Sequence, residues 1–300
     1  MSTILVTGAT GAQGGALVHE LLRRGFAVRA MTRNAGKPAA RALAEAGAEP
    51  VEADMNDEAS LEWACRGVDG VFSVQNYWEP GVGYEGEVAQ GCRLARAAKA
   101  AGVKHLVQTS VSGCDRAPGV EHFESKWAIE QYVDSLELPR TFLREVFFME
   151  NLFEPVLGGG KRRVDPALVL AVLGGCLGNR TRLHMVTVED IAWFAAEALE
   201  KPDEYLGTTL DVASDAPTVG EMKRTFRKVT GRRIWYPSVP LWLLRRFNAE
   251  AARQYDWNLE PGWDIDLEPL RLRHPGLTRF EDFLRNHYAA RRAGLAARSP

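Results

Sequence analysis

Short apolar runs alternate with helix-period patterns through the first half of the chain. Ile4-Leu5-Val6 reads as a first strand, and Ala16 to Arg24 as a helix with Leu17, Val18, Leu21 and Leu22 on one face and Gly25 just past its end. Val28 to Met31 gives a second strand, followed by a helix from Pro38 to Ala46 and a short strand near Val51. A helix around Ser60 to Cys65 precedes the strand Val71 to Val74. A long helix from Glu85 to Ala101, stopped by Gly102, precedes the strand Leu106 to Thr109. A helix over Glu124 to Leu136 then leads to Phe142-Leu143-Arg144. Alternation this regular implies a parallel sheet covered on both faces, and right-handed crossovers make it doubly wound.

The texture changes after about residue 150, at Gly158-Gly159-Gly160-Lys161-Arg162-Arg163, a turn-forming basic stretch. Val188 to Leu199 is again an amphipathic helix. From Asp211 onward the pattern loosens, with many prolines and with Trp235, Trp242, Trp257 and Trp263. The division expected is a main domain over 1–152 with a returning segment at about 183–210. Residues 153–182 and 211–300 form a smaller C-terminal α/β lobe roofing a cleft. The tryptophans are expected to pack that lobe rather than to stack nucleic-acid bases.

Composition narrows the function classes. The 300 residues carry 37 basic and 39 acidic side chains, a net charge of −2, so no global positive field draws the chain to nucleic acid or an acidic membrane. No apolar run reaches the roughly eighteen residues of a membrane span, and the start lacks the pattern of a secretory signal. Cys65, Cys92, Cys114 and Cys176 are scattered, without metal-like spacing to histidine; reduced thiols and a cytoplasmic location are expected. No G-x-S-x-G elbow or H-E-x-x-H pair is present.

The chemistry sits first at Thr7-Gly8-Ala9-Thr10-Gly11-Ala12-Gln13-Gly14, between the first strand and the first helix. Its G-x-x-G-x-x-G spacing lets the chain turn sharply and brings backbone N–H groups to a pyrophosphate. Gly8, Thr10, Gly11, Gln13 and Gly14 are therefore candidate cofactor residues. At the end of the second strand Met31-Thr32-Arg33-Asn34 carries a cation where an NAD-binding fold carries an acid, so Arg33 reads a 2′-phosphate and the expected cofactor is NADP(H). Lys37 either supports it or is a solvated helix-start lysine. Asp54 and Met55 follow the third strand, where adenine would sit; alternatively Asn56 or Asp57 caps the next helix. Gln75 and Asn76 border the nicotinamide-side ribose, and Tyr77 and Trp78 line the site or the core.

Short-chain dehydrogenases carry Tyr-x-x-x-Lys one helix after the fifth strand, the lysine lowering the tyrosine pKa. This chain has His122-Phe123-Glu124-Ser125-Lys126: the lysine is present and the tyrosine is not. Lys126 is a candidate for ribose binding and proton transfer. His122 is either a proton donor or a helix-start histidine lining the site.

These residues resemble the NmrA-like branch of atypical short-chain dehydrogenases, and within it the HSCARG-type NADPH-sensor proteins. The resemblance rests on residues 7–15, on Thr32-Arg33-Asn34 with Lys37, on Asn76-Tyr77-Trp78-Glu79, and on His122-Phe123 with Lys126. It continues through Phe148-Met149-Glu150-Asn151-Leu152, Val188-Glu189-Asp190-Ile191-Ala192 and Pro275-Gly276-Leu277-Thr278. It implies a Rossmann domain with a small lobe, NADP(H) between them, and Phe148 and Asn151 beside the nicotinamide. Members lacking the tyrosine are regarded as regulators that read the NADPH/NADP⁺ ratio and bind partner proteins, and a monomer or a homodimer is expected for this fold. Others in the wider branch reduce quinones, dyes or phenylpropanoid double bonds, some relying on the lysine alone, so the alternative expected here is an NADPH-dependent reductase of a small quinone, enal, imine or dye using Lys126. Glu145-Val146 departs from the resemblance, since relatives often have proline after the equivalent of Leu143-Arg144.

Overall fold

The computed structural model describes residues 2–154 and 164–296; the basic stretch at 158–163 lies outside the described residues. The chain divides into two compact units, Met1–Glu145 with Val188–Val212, and Val146–Thr187 with Ala213–Pro300.

The first unit opens with β1 (Thr3–Val6), α1 (Ala12–Arg23), β2 (Ala27–Thr32), α2 (Pro38–Glu45), β3 (Glu49–Glu52) and α3 (Glu58–Cys65). It continues with β4 (Gly70–Ser73), α4 (Gly83–Ala100), β5 (His105–Val111), α5 (Glu121–Ser135) and β6 (Arg140–Glu145). The second unit then contributes β7 (Phe147–Phe148), α6 (Pro166–Cys176) and β8 (Met185–Val186). The chain returns to the first unit through α7 (Val188–Glu200), α8 (Pro202–Tyr205) and β9 (Thr209–Val212). It ends in the second unit with α9 (Val219–Thr230), α10 (Leu241–Phe247), α11 (Ala249–Leu259), α12 (Leu267–Arg273) and α13 (Phe280–Ala296).

The first unit is built on a seven-stranded sheet in the order β3-β2-β1-β4-β5-β6-β9, with every pair parallel. One face buries Leu5, Met31, Val71, Leu106 and Phe142 under Leu61, Leu94, Ile129 and Val133 of α3, α4 and α5. On the other face Gly70 makes room for Ile4 and Leu199, because a Cβ there would lie 2.9 Å from both side chains. Here α1 packs on α7, and Arg24 ties them by reaching Glu20 of α1 and both Glu197 and Glu200 of α7. The strand order reverses between β1 and β4, the point at which such a sheet opens a crevice at its carboxyl edge.

The second unit is mostly helical around a two-stranded parallel β7–β8 ribbon. Its core gathers Phe147, Leu170, Leu173, Met222, Phe226, Tyr255, Phe280 and Leu284. Thr218 and Glu221 cap α9 reciprocally. Trp257 is buried, with its ring edge-on to Trp263 at 5.5 Å. Trp235 and Trp242 do not join this core. They are 81% and 67% exposed, while Leu241 and Leu244 on the helix that carries Trp242 are the residues that pack, partly buried, against the core. No helix among the described residues is long and apolar enough to cross a membrane.

Candidate functional site

The glycine turn leaves β1 at the strand reversal. Thr7 Oγ1 accepts from the N–H of Val74 at 2.9 Å and donates to its carbonyl at 3.2 Å, clamping the ends of β1 and β4 together. Gly8 has φ +58°, and a Cβ there would lie 2.8 Å from the Val74 side chain. A Cβ on Gly14 would overlap the carbonyl oxygens of Thr7 and Gly8. Gly11 caps α1 without a side chain, and the first turn of the helix holds no acid. The result is a tight cradle whose first-turn N–H groups have no side-chain acceptor among the described residues, the form an anion-binding helix start takes.

Arg33 follows β2 and is exposed, with Nη1 2.6 Å from Glu79 Oε1 in the β4–α4 loop. Lys37 precedes α2 and is exposed. A second carboxylate, Glu52 at the end of β3, accepts the N–H of Ala35 at 2.8 Å. The edge over β2 thus holds two cations and two carboxylates. Asp54 Oδ1 accepts from Asn56 N–H at 2.8 Å in a local turn, while Asp57 caps α3 through Ala59 N–H. Met55 packs partly buried against the core below. Gln75 is buried, and its amide bridges Ser73 Oγ at 2.8 Å and Gln108 Nε2 at 2.9 Å, a link between β4 and β5. Asn76 is exposed and accepts from Trp78 N–H.

At the start of α5 the His122 ring packs against Trp78 at 5.1 Å and Tyr77 at 5.7 Å, and the Tyr77 hydroxyl donates to Glu121 at 3.0 Å. One turn on, Lys126 Nζ lies 2.6 Å from Glu87 Oε1 of α4, and Ser125 Oγ donates to the other oxygen of the same carboxylate. Glu87 has no exposed side-chain surface. These partners, Glu79 for Arg33 and Glu87 for Lys126, were not visible in the sequence.

A further acid closes the group. Glu145 ends β6, in register with Val111 of β5 and Val212 of β9, and its backbone carbonyl accepts from Ser112 N–H at 2.8 Å. Its side chain is buried and accepts a short hydrogen bond from Gln13 Nε2 of the glycine turn, while Oε1 has no partner among the described residues. Burial pushes its carboxyl up to about 8, against the opposing pull of Lys126 and the Gln13 bond. The preceding Arg144 points to the other face, where it forks onto Glu130 of α5 and reaches Asp115. Sequence reasoning gave Glu145 no role, since its strand reads Arg-Thr-Phe-Leu-Arg-Glu and already carries two other charged residues. Phe148 ends β7 and Asn151 lies in the short turn of helix at Met149–Leu152, both in the second unit. Among the described residues no histidine, cysteine and carboxylate cluster forms a metal site.

The NmrA-like family pattern matches residues 1–259. The chain belongs to the NmrA-like family. A curated relative, an NmrA-like family domain-containing oxidoreductase of Cladobotryum sp., is 30% identical over 258 residues, covering 80% of this chain and 77% of its own. Among solved structures, triphenylmethane reductase of Citrobacter sp. in complex with NADP(H) superposes with a TM-score of 0.76 at 20% identity, covering 95% of this chain and 99% of its own. The negative transcriptional regulator NmrA, in complex with NADP, gives 0.71 at 19% identity, covering 95% and 94%. The fold is therefore shared by a reductase and by a regulator.

Proposed function

We propose that this NmrA-like protein binds NADP(H) at the carboxyl edge of its parallel sheet and acts as a nucleotide-sensing regulator. The observation that carries the binding is the cradle at Gly8, Gly11 and Gly14, which a single Cβ would fill, opening onto the uncapped start of α1. In this fold the adenosine half lies over β1 to β3 and the nicotinamide half over β4 to β6. Arg33 and Lys37 then face the 2′-phosphate. Arg33 exchanges an exposed ion pair with Glu79 for one with phosphate, and exposed pairs of this kind hold only weakly. Lys126, fixed by Glu87, presents its remaining donors to the ribose hydroxyls.

The regulatory role is supported by what stands at the start of α5. His122 occupies the tyrosine position and is packed in an aromatic group, and the lysine that would activate a phenol is paired with a buried carboxylate. Nucleotide bound here supplies a hydride, but α5 sets no phenol beside Lys126 to complete proton transfer. The test is calorimetric titration with NADPH and NADP⁺, alongside NADPH oxidation against quinones, enals, imines and dyes. Tight binding without turnover supports the regulator, and failure to bind either nucleotide overturns the assignment.

A second reading is an NADPH-dependent reductase of a small electron-poor molecule. It is favoured by the buried acid Glu145 beside Lys126, a proton source independent of tyrosine. Turnover of any member of the panel that disappears in Lys126→Ala would establish it.

A further inference from the structure

Glu145 is a buried acid that nucleotide binding alone does not require. It sits at the carboxyl end of β6, over the half of the sheet that takes the nicotinamide, and it is anchored to the glycine turn through Gln13. One of its oxygens, Oε1, is buried and makes no hydrogen bond among the described residues, so its polar capacity is not used up within the chain. We propose that Glu145 selects between the oxidised and reduced nucleotide by its own charge. Its carboxylate favours the cationic nicotinamide ring of NADP⁺, and its neutral carboxyl favours neither form. This rests on the NADP(H) reading of the same site.

The surroundings make the charge adjustable. From α1 the group facing Glu145 is Gln13, which carries no charge. From α5 it is Lys126, whose ammonium favours the carboxylate and is itself paired with Glu87 of α4. The strand neighbours Val111 on β5 and Val212 on β9 are apolar. On α7 the buried Asp190 is engaged in an interaction of its own. On β6 itself Arg144 is turned to the opposite face and held by Glu130 and Asp115. Burial therefore opposes one ammonium and outweighs it, pushing the carboxyl up to about 8, above the usual carboxylate range. A positive ring brought against it shifts that balance toward the carboxylate, and by linkage a more ionised Glu145 binds the positive ring more tightly.

The experiment is to measure the Kd of NADP⁺ and of NADPH from about pH 6 to pH 9.5 for the full chain and for Glu145→Gln, with proton release on binding read in buffers of different ionisation enthalpy. In the unaltered protein the affinity ratio should move at least about fivefold toward NADP⁺ across that range, and NADP⁺ should release more protons than NADPH near neutral pH. Glu145→Gln should flatten the ratio and abolish the difference in proton release. If both nucleotides bind but the ratio stays constant in the unaltered protein, the selection proposal falls while NADP(H) binding stands. If neither binds at any pH, both fall together. Should Glu145→Gln not fold, the pH profile and the proton release of the unaltered protein still decide the matter.

Discussion

Lys126 Nζ lies 2.6 Å from the carboxylate of Glu87, whose side chain has no exposed surface, so a residue of α4 fixes the one lysine that α5 offers to the site. The two partners are unequal. Lys126 keeps some contact with solvent, whereas Glu87 has only Ser125 as its other side-chain hydrogen-bonding neighbour among the described residues. Removing the lysine leaves a buried carboxylate uncompensated, a change that costs about 3 kcal/mol or more. Lys126→Met should therefore destabilise the fold by about 3 kcal/mol and Glu87→Gln by clearly less. Urea unfolding of both variants checks this, and equal losses would contradict the asymmetry.

Arg33 and Glu79 make a competing pair at the 2′-phosphate position. Arg33→Ala should weaken NADP⁺ about tenfold and leave NAD⁺ nearly unchanged, while Glu79→Gln should tighten NADP⁺ severalfold by releasing the guanidinium. Titration calorimetry with both nucleotides separates these effects. A loss shared equally by NAD⁺ and NADP⁺ would remove Arg33 from the phosphate.

What the sequence made legible follows from where its periodicity is strong. The strands around Val6, Met31, Val71, Leu106 and Phe142 are apolar on both sides because helices cover both faces, and each is found within a residue or two of its expected span. The strand β9 carries no such signal, because it lies at the sheet edge with Thr209 exposed and Asp211 only partly buried, so no apolar run marks it. Strands β7 and β8 have two residues each, too few for any period. In the site, the glycine spacing, Arg33 and Lys126 carry local signals. Their partners Glu79 and Glu87 come from elements some forty positions away and leave no local trace. Trp235 and Trp242 show the opposite failure: a large apolar side chain suggests a core, but burial needs a neighbour to provide it.

The cradle is tested by adding one carbon. Gly14→Ala places a methyl group against the carbonyls of Thr7 and Gly8, backbone atoms that cannot swing aside. It should cost about 2 kcal/mol in stability and abolish measurable nucleotide binding. Gly15→Ala, whose Cβ would meet only the Ala9 carbonyl at 3.3 Å, should be far better tolerated. Thermal unfolding with and without NADPH reads both variants, and a Gly14→Ala protein that still gains stability from the nucleotide would refute the cradle.

The buried acid also sets how stability depends on pH. Glu145 has its folded pKa raised from 4.5 to about 8, so between those values the folded state holds more protons than the unfolded one, and stability falls as pH rises through that window. His105 works in the opposite sense. Burial lowers it from 6.5 to about 4, its ring paired with Thr141 at 2.8 Å, so the unfolded state holds the extra proton and stability rises with pH between those values. The two slopes oppose each other below pH 6.5, and above it only the Glu145 contribution of this pair remains. Between about pH 6.5 and pH 8 the protein should therefore lose about 1 to 2 kcal/mol of stability on account of Glu145. Glu145→Gln should remove that part of the slope and leave the acid-side rise due to His105 in place. Urea unfolding at a series of pH values, compared between the two proteins, measures the difference directly. Parallel profiles across this window would mean that Glu145 is already ionised in the folded protein.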